Sequence, residues 1–192
     1  MNIFIIAYWA GMIGEILIRS PYQKGWKSGT KVERRETATE RVLLGLLGIF
    51  MFLLPLIYSL TNWLSFADYS LPTWLGWLGV LLLAGALFVF ARAHRDLKSN
   101  WSPTLEIRSD QTLITNGIYQ YIRHPMYASQ WLWVFAQCLL LQNWLAGPLN
   151  LLFFNAFYFL RVQAEEQMMV DRFGDQYRDY MKRVGGVIPK WR

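Results

Sequence analysis

The sequence predicts an all-α integral membrane protein with about five transmembrane helices, a cytoplasmic C-terminal amphipathic helix and a pocket on the cytoplasmic side. Hydrophobic residues make up 54% of the 192 residues and charged residues 17%, which is too apolar for an ordinary soluble domain of this size. Apolar runs long enough to cross a bilayer recur along the chain. The basic residues are confined to three stretches, two between these runs and one at the C-terminal end. We therefore expect a single membrane domain over residues 1–192.

Five apolar segments account for the predicted helices in order. The first three approach or reach the ~17–25 residues that a helix needs to cross a bilayer. The fifth has a length of only about 22 Å, so it need not cross fully. Pro55 predicts a distortion within the second segment, which neighbouring helices tolerate in a membrane. The five segments are residues 3–18, 42–60, 71–91, 128–145 and 148–162.

The basic residues set the predicted orientation. All 19 Lys and Arg residues fall in three segments, with seven in 19–41, five in 92–123 and seven in 161–192. The connections 61–71 and 142–147 contain none. By the positive-inside rule the basic segments are cytoplasmic, so the N-terminus lies outside and the C-terminus in the cytoplasm. A cytoplasmic rim of this kind accounts for the net charge of +6 without a nucleic-acid partner.

The last predicted unit, residues 164–192, contains a stripe of apolar side chains. These side chains recur every three or four residues, which places them on one face of a helix that begins at Glu165. Such a helix lies along the membrane surface or closes over the cytoplasmic mouth of the bundle. The stripe is Met169, Phe173, Tyr177, Tyr180 and Val184. The other predicted units are 1–91 with spans one to three, the cytoplasmic loop 92–127 and the helical hairpin 128–163.

Two polar clusters meet in this topology. Residues 115–127 precede the fourth span, and a second cluster follows the fifth, so the hairpin makes the two clusters neighbours. Pro125 is typical of the first turn of a helix, and an anionic group is well placed beside that helix N-terminus. Each residue alone also fits an ordinary role as a helix cap, a dipole-favourable carboxylate or a snorkelling anchor. The residues in question are Arg123, His124, Arg161, Glu165 and Glu166.

As an ordered set, these motifs resemble the isoprenylcysteine carboxyl methyltransferase family. The set runs from Thr115-Asn116-Gly117-Ile118-Tyr119 and Arg123-His124-Pro125-Met126-Tyr127 to Arg161, Glu165-Glu166, Phe173-Gly174 and Pro189. The resemblance covers roughly residues 92–189, and phospholipid N-methyltransferases share the same core. The small five-span architecture looks like the prokaryotic-type members. Ser129 stands where many members carry a glycine, a departure that concerns the acceptor more than the cofactor.

The resemblance implies a membrane enzyme that uses S-adenosylmethionine and releases S-adenosylhomocysteine. It implies a cytoplasmic cofactor pocket in which Glu165 or Glu166 holds the methionine ammonium or the ribose hydroxyls, because charge-assisted hydrogen bonds are the strong ones. The remaining implied cofactor-binding residues are Gly117, Tyr119, His124, Pro125 and Tyr127.

The chemistry of methyl transfer suggests further roles. A carboxylate acceptor is already ionised, so the protein positions both reactants and excludes water. Arg161, and less strongly Arg123, is the candidate to hold that carboxylate, and Glu165 completes the candidate catalytic set. An amine acceptor would have to lose a proton first, to a Glu or to His124.

The expected partner is a lipophilic or prenylated acceptor, most readily an isoprenylcysteine-like carboxylate, together with membrane lipid. A phospholipid or other lipid amine N-methyltransferase, an NADPH-dependent membrane reductase and a non-enzymatic membrane scaffold remain alternatives. No metal site, nucleic acid or obligate protein partner is expected, since the two His residues have no ligand partners at metal-binding spacing. In a prokaryotic source the membrane would be the plasma membrane.

Overall fold

The computed structural model describes residues 2–27, 31–34, 37–102, 106–108 and 112–190. The α-helices in these ranges are α1 (Ile3–Lys27), α2 (Ala38–Gly48), α3 (Leu54–Leu60), α4 (Thr73–Leu97), α5 (Pro125–Leu141), α6 (Pro148–Phe173) and α7 (Asp175–Arg183). A π-helical turn, Ile49–Leu53, joins α2 to α3, and 3₁₀ turns occupy Ser65–Ala67, Lys98–Asn100 and Gly117–Gln120. Two short strands, β1 (Lys31–Arg34) and β2 (Glu106–Arg108), complete the fold.

Within the described ranges, three stretches are long and apolar enough to cross a membrane. They are Ile3–Gln23, Ala38–Leu60 and Thr73–Leu97, which confirms the membrane character and the helical class predicted for the first three apolar segments. α5 has 17 residues and α6 has 26, with polar residues in its second half. The total of five spans stays a prediction.

Two short strands accompany the helices and leave the predicted helical class unchanged. β1 and β2 pair antiparallel, with Lys31 opposite Arg108 and Arg34 opposite Glu106. They belong to the two connections that precede α2 and follow α4, which emerge at the same end of the bundle and satisfy part of their backbone hydrogen bonding by pairing. Strands of three and four residues show too little alternation of apolar and polar residues to be recognised in a sequence.

The predicted start of a helix at Glu165 is wrong. Glu165 and Glu166 lie within α6, which continues from the fifth apolar segment as far as Phe173. Gly174 ends that helix at φ +55°, a backbone conformation that glycine adopts without strain. The shorter helix α7 follows, and its residues Tyr177 and Tyr180 form a buried cluster with Val184, which comes directly after the helix. The predicted boundary at 163/164 therefore falls inside a helix, and α5 begins at Pro125, ahead of the boundary at 127/128.

α5 occupies the centre of the bundle and packs against α1, α4 and α6. Its residues Trp133, Val134 and Leu140 are at most 2% exposed. Small residues let the neighbouring helices approach closely. A Cβ atom added at Gly76 of α4, for example, would fall 2.3 Å from the ring of Phe4. The site described below is therefore built on a densely packed central helix.

Pro55 leaves backbone carbonyls without a donor, and other helices supply the missing hydrogen bonds. A proline nitrogen carries no hydrogen, so the carbonyls four and five residues earlier, on Met51 and Phe50, lose their partner. The Tyr8 hydroxyl donates to Met51 O at 2.5 Å. The Gln137 side-chain amide donates to Phe50 O at 3.0 Å. The distortion that Pro55 predicts is thus a π-helical turn fixed by α1 and α5, as required where no water can reach the backbone.

We predict that Tyr8→Phe destabilises the protein by about 1–3 kcal/mol, because the buried Met51 carbonyl would lose its donor. The measurement is the midpoint of thermal unfolding of the detergent-purified protein. Tyr121→Phe is the matched control, since Tyr121 is 61% exposed. Equal midpoints for the two variants would contradict the proposed role of Tyr8.

Candidate active site

The first part of the site along the chain is a turn at Gly117. Gly117 has φ +60°, and the next amide, Ile118 N, donates to Asp96 Oδ2 at 2.8 Å. A Cβ atom at position 117 would lie 2.2 Å from that same oxygen. The turn therefore requires glycine both for its left-handed backbone and for the close approach of Asp96. It carries Tyr119 into the buried interior, where Tyr119 is 7% exposed.

The tail after α7 is bound to the segment that precedes α5. Arg123 N donates to Gly185 O at 2.8 Å, and His124 N donates to Gly186 O at 3.1 Å. The Arg123 guanidinium donates to the carbonyls of Met181 and Val184. α7 is also attached through the Tyr180 hydroxyl, which donates to Tyr119 O at 2.5 Å. The tail and the start of α5 thus form one unit.

Glu166 joins that unit to α6. Its Oε1 atom accepts from Arg123 Nη2 at 2.6 Å and from Arg123 Nε at 3.2 Å. The same oxygen lies 2.9 Å from His124 Nε2. The hydrogen bond from His124, followed by that from Arg123, lowers the pKa of Glu166 from its ordinary 4.5 to about 2, although partial burial acts in the opposite direction. The Glu166 carboxylate is ionised at neutral pH, and it binds the two basic residues of the motif.

Glu165 points in a different direction from Glu166, since adjacent helical residues are rotated by about 100°. Glu165 lines a cavity of the protein, and its Oε2 accepts from the Tyr127 hydroxyl at 2.8 Å. Its Oε1 lies 3.9 Å from His124 Nδ1. A third of the Glu165 side chain is exposed. Of the two adjacent carboxylates, Glu165 is the one that faces the cavity.

The cavity has a volume of about 570 Å³, within the ~300–1,000 Å³ typical of small-molecule sites. Its lining includes polar and aromatic residues from α5, α6 and α7. Apolar residues from α1, α2, the π-turn and α6 also line it, namely Met12, Ile16, Leu44, Leu47, Met51, Phe52, Phe154 and Phe157. One cavity is therefore lined by both polar and apolar side chains, and these two sets of residues are called its polar and apolar compartments below.

Arg161 lines the cavity and forms an ion pair with a residue that the sequence analysis missed. Its Nη1 lies 3.1 Å from Glu40 Oε1, and their side chains are only 10% and 5% exposed. Glu40 lies in the first turn of α2, where its backbone nitrogen donates to the capping Thr37 hydroxyl at 3.1 Å. In the sequence Glu40 reads as one of several charges in a solvated loop. Its pairing with a residue 121 positions later has no local signal.

The structure brings most of the predicted site residues to the one cavity. Those that line it are Tyr119, Arg123, His124, Pro125, Tyr127, Arg161 and Glu165. Gly117 and Glu166 are not among the lining residues. Gly117 shapes the turn beside Asp96, and Glu166 lies behind Arg123 and His124. Ser129 is 1% exposed, and its hydroxyl donates to Met126 O at 2.7 Å, so it is taken up by its own helix.

The sequence profile of the isoprenylcysteine carboxyl methyltransferase (ICMT) family matches residues 77–171. This segment runs from α4 through the glycine turn and α5 to the second half of α6, and so includes every predicted site residue. The chain belongs to this family. The predicted resemblance is thereby confirmed.

Relatives with curated descriptions agree with the family assignment. A protein-S-isoprenylcysteine O-methyltransferase of Dictyostelium discoideum is 33% identical over 142 residues, covering 70% of this chain and 58% of the relative. One of Schizosaccharomyces pombe is 39% identical over 80 residues, covering 42% and 34%. One of Homo sapiens is 28% identical over 142 residues, covering 69% and 50%. The matches span from a third to just over half of the length of these relatives.

A solved structure of an ICMT-family protein shares the fold. This is a eukaryotic intramembrane Ras methyltransferase, isoprenylcysteine carboxyl methyltransferase, which matches with a TM-score of 0.53 at 25% sequence identity. The match covers 80% of this chain and 53% of that protein. Together with the three membrane-length helices, it identifies this ICMT-family chain as an integral membrane protein.

We predict that Gly117→Ala destabilises the protein and lowers its unfolding midpoint, because the new methyl group would clash with Asp96 and oppose the left-handed turn. The matched control is Gly45→Ala, since a Cβ atom at Gly45 of α2 meets nothing within 4 Å. Alanine also suits a helix better than glycine. An unchanged midpoint for Gly117→Ala would show that the turn can rearrange.

The ion pairs of Glu166 predict a dependence of stability on pH. A carboxyl whose pKa is lowered by folding stabilises the folded state above its unfolded pKa, and that contribution disappears as the pH falls through the folded value. For Glu166 the loss should occur between about pH 4.5 and pH 2.

Glu166→Gln should therefore flatten the decline of the unfolding midpoint between pH 5 and pH 3. The measurement is a series of thermal scans in detergent. Asp175→Asn is the control, because Asp175 is 92% exposed and should leave the wild-type slope unchanged. A Glu166→Gln slope equal to that of the wild type would contradict the assignment.

Proposed function

We propose that this chain is a membrane-integral, S-adenosylmethionine-dependent methyltransferase that methylates the carboxyl group of a lipophilic, isoprenylcysteine-like acceptor. The observation that carries the proposal is one cavity that is lined by both polar and apolar residues. Its polar compartment suits a charged small molecule, and its apolar compartment suits a lipid chain. The family assignment and the curated descriptions of the relatives support the same activity.

The residues of the polar compartment fit the methyl donor. Glu165 presents a carboxylate oxygen to the cavity, and a carboxylate is the complement of an ammonium or sulfonium group. Tyr119, His124 and Tyr127 supply aromatic surface and polar atoms around it. S-adenosylmethionine would supply an electrophilic methyl group on sulfur. We assign its amino-acid end to Glu165 and its adenosine to the residues of the Arg123–Tyr127 motif.

Arg123 and Glu166 then have a positioning role. Because Arg123 is engaged by Glu166 and by the carbonyls of Met181 and Val184, it is poorly placed to donate a hydrogen bond to the methyl acceptor. Glu166 in turn holds His124, so the pair fixes the wall that the donor would occupy. Arg161 reaches the cavity directly, and Glu40 fixes the position of its side chain. We therefore assign the acceptor carboxylate to Arg161 and not to Arg123.

An ionised carboxylate needs no general base, so the work of the site is positioning and exclusion of water. Placing two reactants in an attack geometry contributes up to ~7–11 kcal/mol. The apolar compartment would take the acceptor's lipid chain from the side, between helices, while the head group stays beside Arg161. The proposed topology has five membrane crossings, with the N-terminus outside and the cavity mouth in the cytoplasm.

The proposal is tested by titrating the detergent-purified protein with S-adenosylhomocysteine by calorimetry, with NADPH as the control ligand. Saturable one-to-one binding of S-adenosylhomocysteine alone is expected. Binding of NADPH in its place would indicate a reductase. A folded sample that binds neither ligand would favour a scaffold.

Glu165→Gln should weaken S-adenosylhomocysteine binding about tenfold or more, since a hydrogen bond to a charged group contributes ~1.5–3 kcal/mol. Glu166→Gln should weaken it less, because Glu166 acts through His124 and Arg123. Asp175→Asn on the surface of α7 is the control and should bind like the wild type. If Glu165→Gln also binds like the wild type, Glu165 is not the donor-binding carboxylate.

A further inference from the structure

A second polar group borders the cavity, on α1. Arg19 Nη2 donates to Glu15 Oε1 at 2.8 Å, one helical turn away. The side-chain amide of Gln130, on α5, donates to the same oxygen at 3.4 Å. All three side chains line the cavity, and Glu15 is only 8% exposed. We call these residues the α1 cluster.

Packing alone does not explain the α1 cluster. It lies within Ile3–Gln23, a stretch of membrane length, and taking an ion pair out of water costs more than its attraction usually returns. Apolar side chains of similar volume would pack there at no such cost. Ionisable residues retained inside a membrane-length helix are therefore a functional hypothesis by default.

The three arginines that line the cavity differ in their exposure and in the N–H donors that they retain for a ligand. The side chains of Arg123 and Arg161 are 11% and 10% exposed and are held by Glu166 and Glu40. The Arg19 side chain is 36% exposed. Within the part of the chain that the structure describes, its hydrogen bond goes to Glu15 through Nη2, and a guanidinium carries five N–H donors. Arg19 thus retains donors for a ligand.

The α1 cluster lies close to the proposed donor compartment. Gln130 follows Tyr127 by three residues on α5, which places their Cβ atoms ~5–6 Å apart. Tyr127 binds Glu165, and Gln130 binds Glu15. One turn of α5 therefore separates the residue that binds Glu165 from the residue that binds Glu15. Arg19, Glu165 and Arg161 all line the same cavity.

We propose that Arg19, held in place by Glu15, which Gln130 also binds, binds the carboxylate of the lipophilic acceptor and thereby selects acidic head groups. The planar guanidinium fork matches a carboxylate better than any other side chain does. This inference rests on the proposed function, and it adds an acceptor-binding residue from α1, which precedes the segment matched by the family profile. Arg161 and Arg19 would then contact the acceptor from different helices.

The test measures acceptor binding to the full-length, detergent-purified protein, with and without saturating S-adenosylhomocysteine. The probes are N-acetyl-S-farnesylcysteine and its carboxamide, which differ only at the head group. Wild type should prefer the carboxylate at least tenfold. Arg19→Gln should lose that preference with S-adenosylhomocysteine affinity unchanged, and Arg19→Lys should keep part of it. Arg178→Gln, a substitution of an arginine that is 56% exposed, is the charge-matched control and should bind like the wild type.

Several results would overturn the inference. An unchanged carboxylate preference in Arg19→Gln would do so directly. Wild type that binds S-adenosylhomocysteine and phosphatidylethanolamine dispersed in detergent, but not the farnesylated acid, would leave the donor site intact and exclude a carboxylate acceptor. Failure of wild type to bind S-adenosylhomocysteine would instead refute the proposed function itself. If Arg19→Gln does not fold, Arg19→Lys and Glu15→Gln carry the test, and wild-type preference in both would overturn the inference.

Discussion

One oxygen atom, Oε1 of Glu166, connects most of the candidate site. It binds Arg123 and His124 together, and the same two residues bind the tail after α7 through their backbone. α6, the start of α5 and the tail are thereby joined at a single point. Because the bonds are charge-assisted and partly shielded from water, they are stronger than ordinary surface pairs. The cavity wall that carries Tyr127 and Glu165 rests on this junction.

The sequence was most informative where physical rules act locally. Membrane-length apolar segments, the helix start at Pro125 and the distortion at Pro55 follow from hydropathy and from proline chemistry. The meeting of the Arg123–Tyr127 motif with Glu165 and Glu166 followed from the hairpin of α5 and α6. The different roles of the two adjacent carboxylates could not be predicted, since they depend on how α6 is rotated about its axis.

The sequence did not show the contacts between residues that lie far apart in the chain. Glu40 and Arg161, Asp96 and Ile118, and Tyr8 and Met51 each bind across distant parts of the chain. No pattern of spacing marks such pairs. The break at Gly174 was missed for a different reason. The apolar stripe of α7 continues that of α6, so the sequence pattern predicts one helix where the structure has two.

The π-helical turn at Ile49–Leu53 has a consequence for the geometry of the cavity. A π-turn holds one more residue than an α-turn, so it sets the rotational phase of everything that precedes it on the same helix. Glu40 lies nine residues before the turn, and Leu44 and Leu47 lie between them. Removing one residue from the turn would rotate this whole section by about 100° relative to Pro55. Leu44, Leu47 and Glu40, the partner of Arg161, would turn away from the cavity together, so the turn beside Pro55 fixes the alignment of all three.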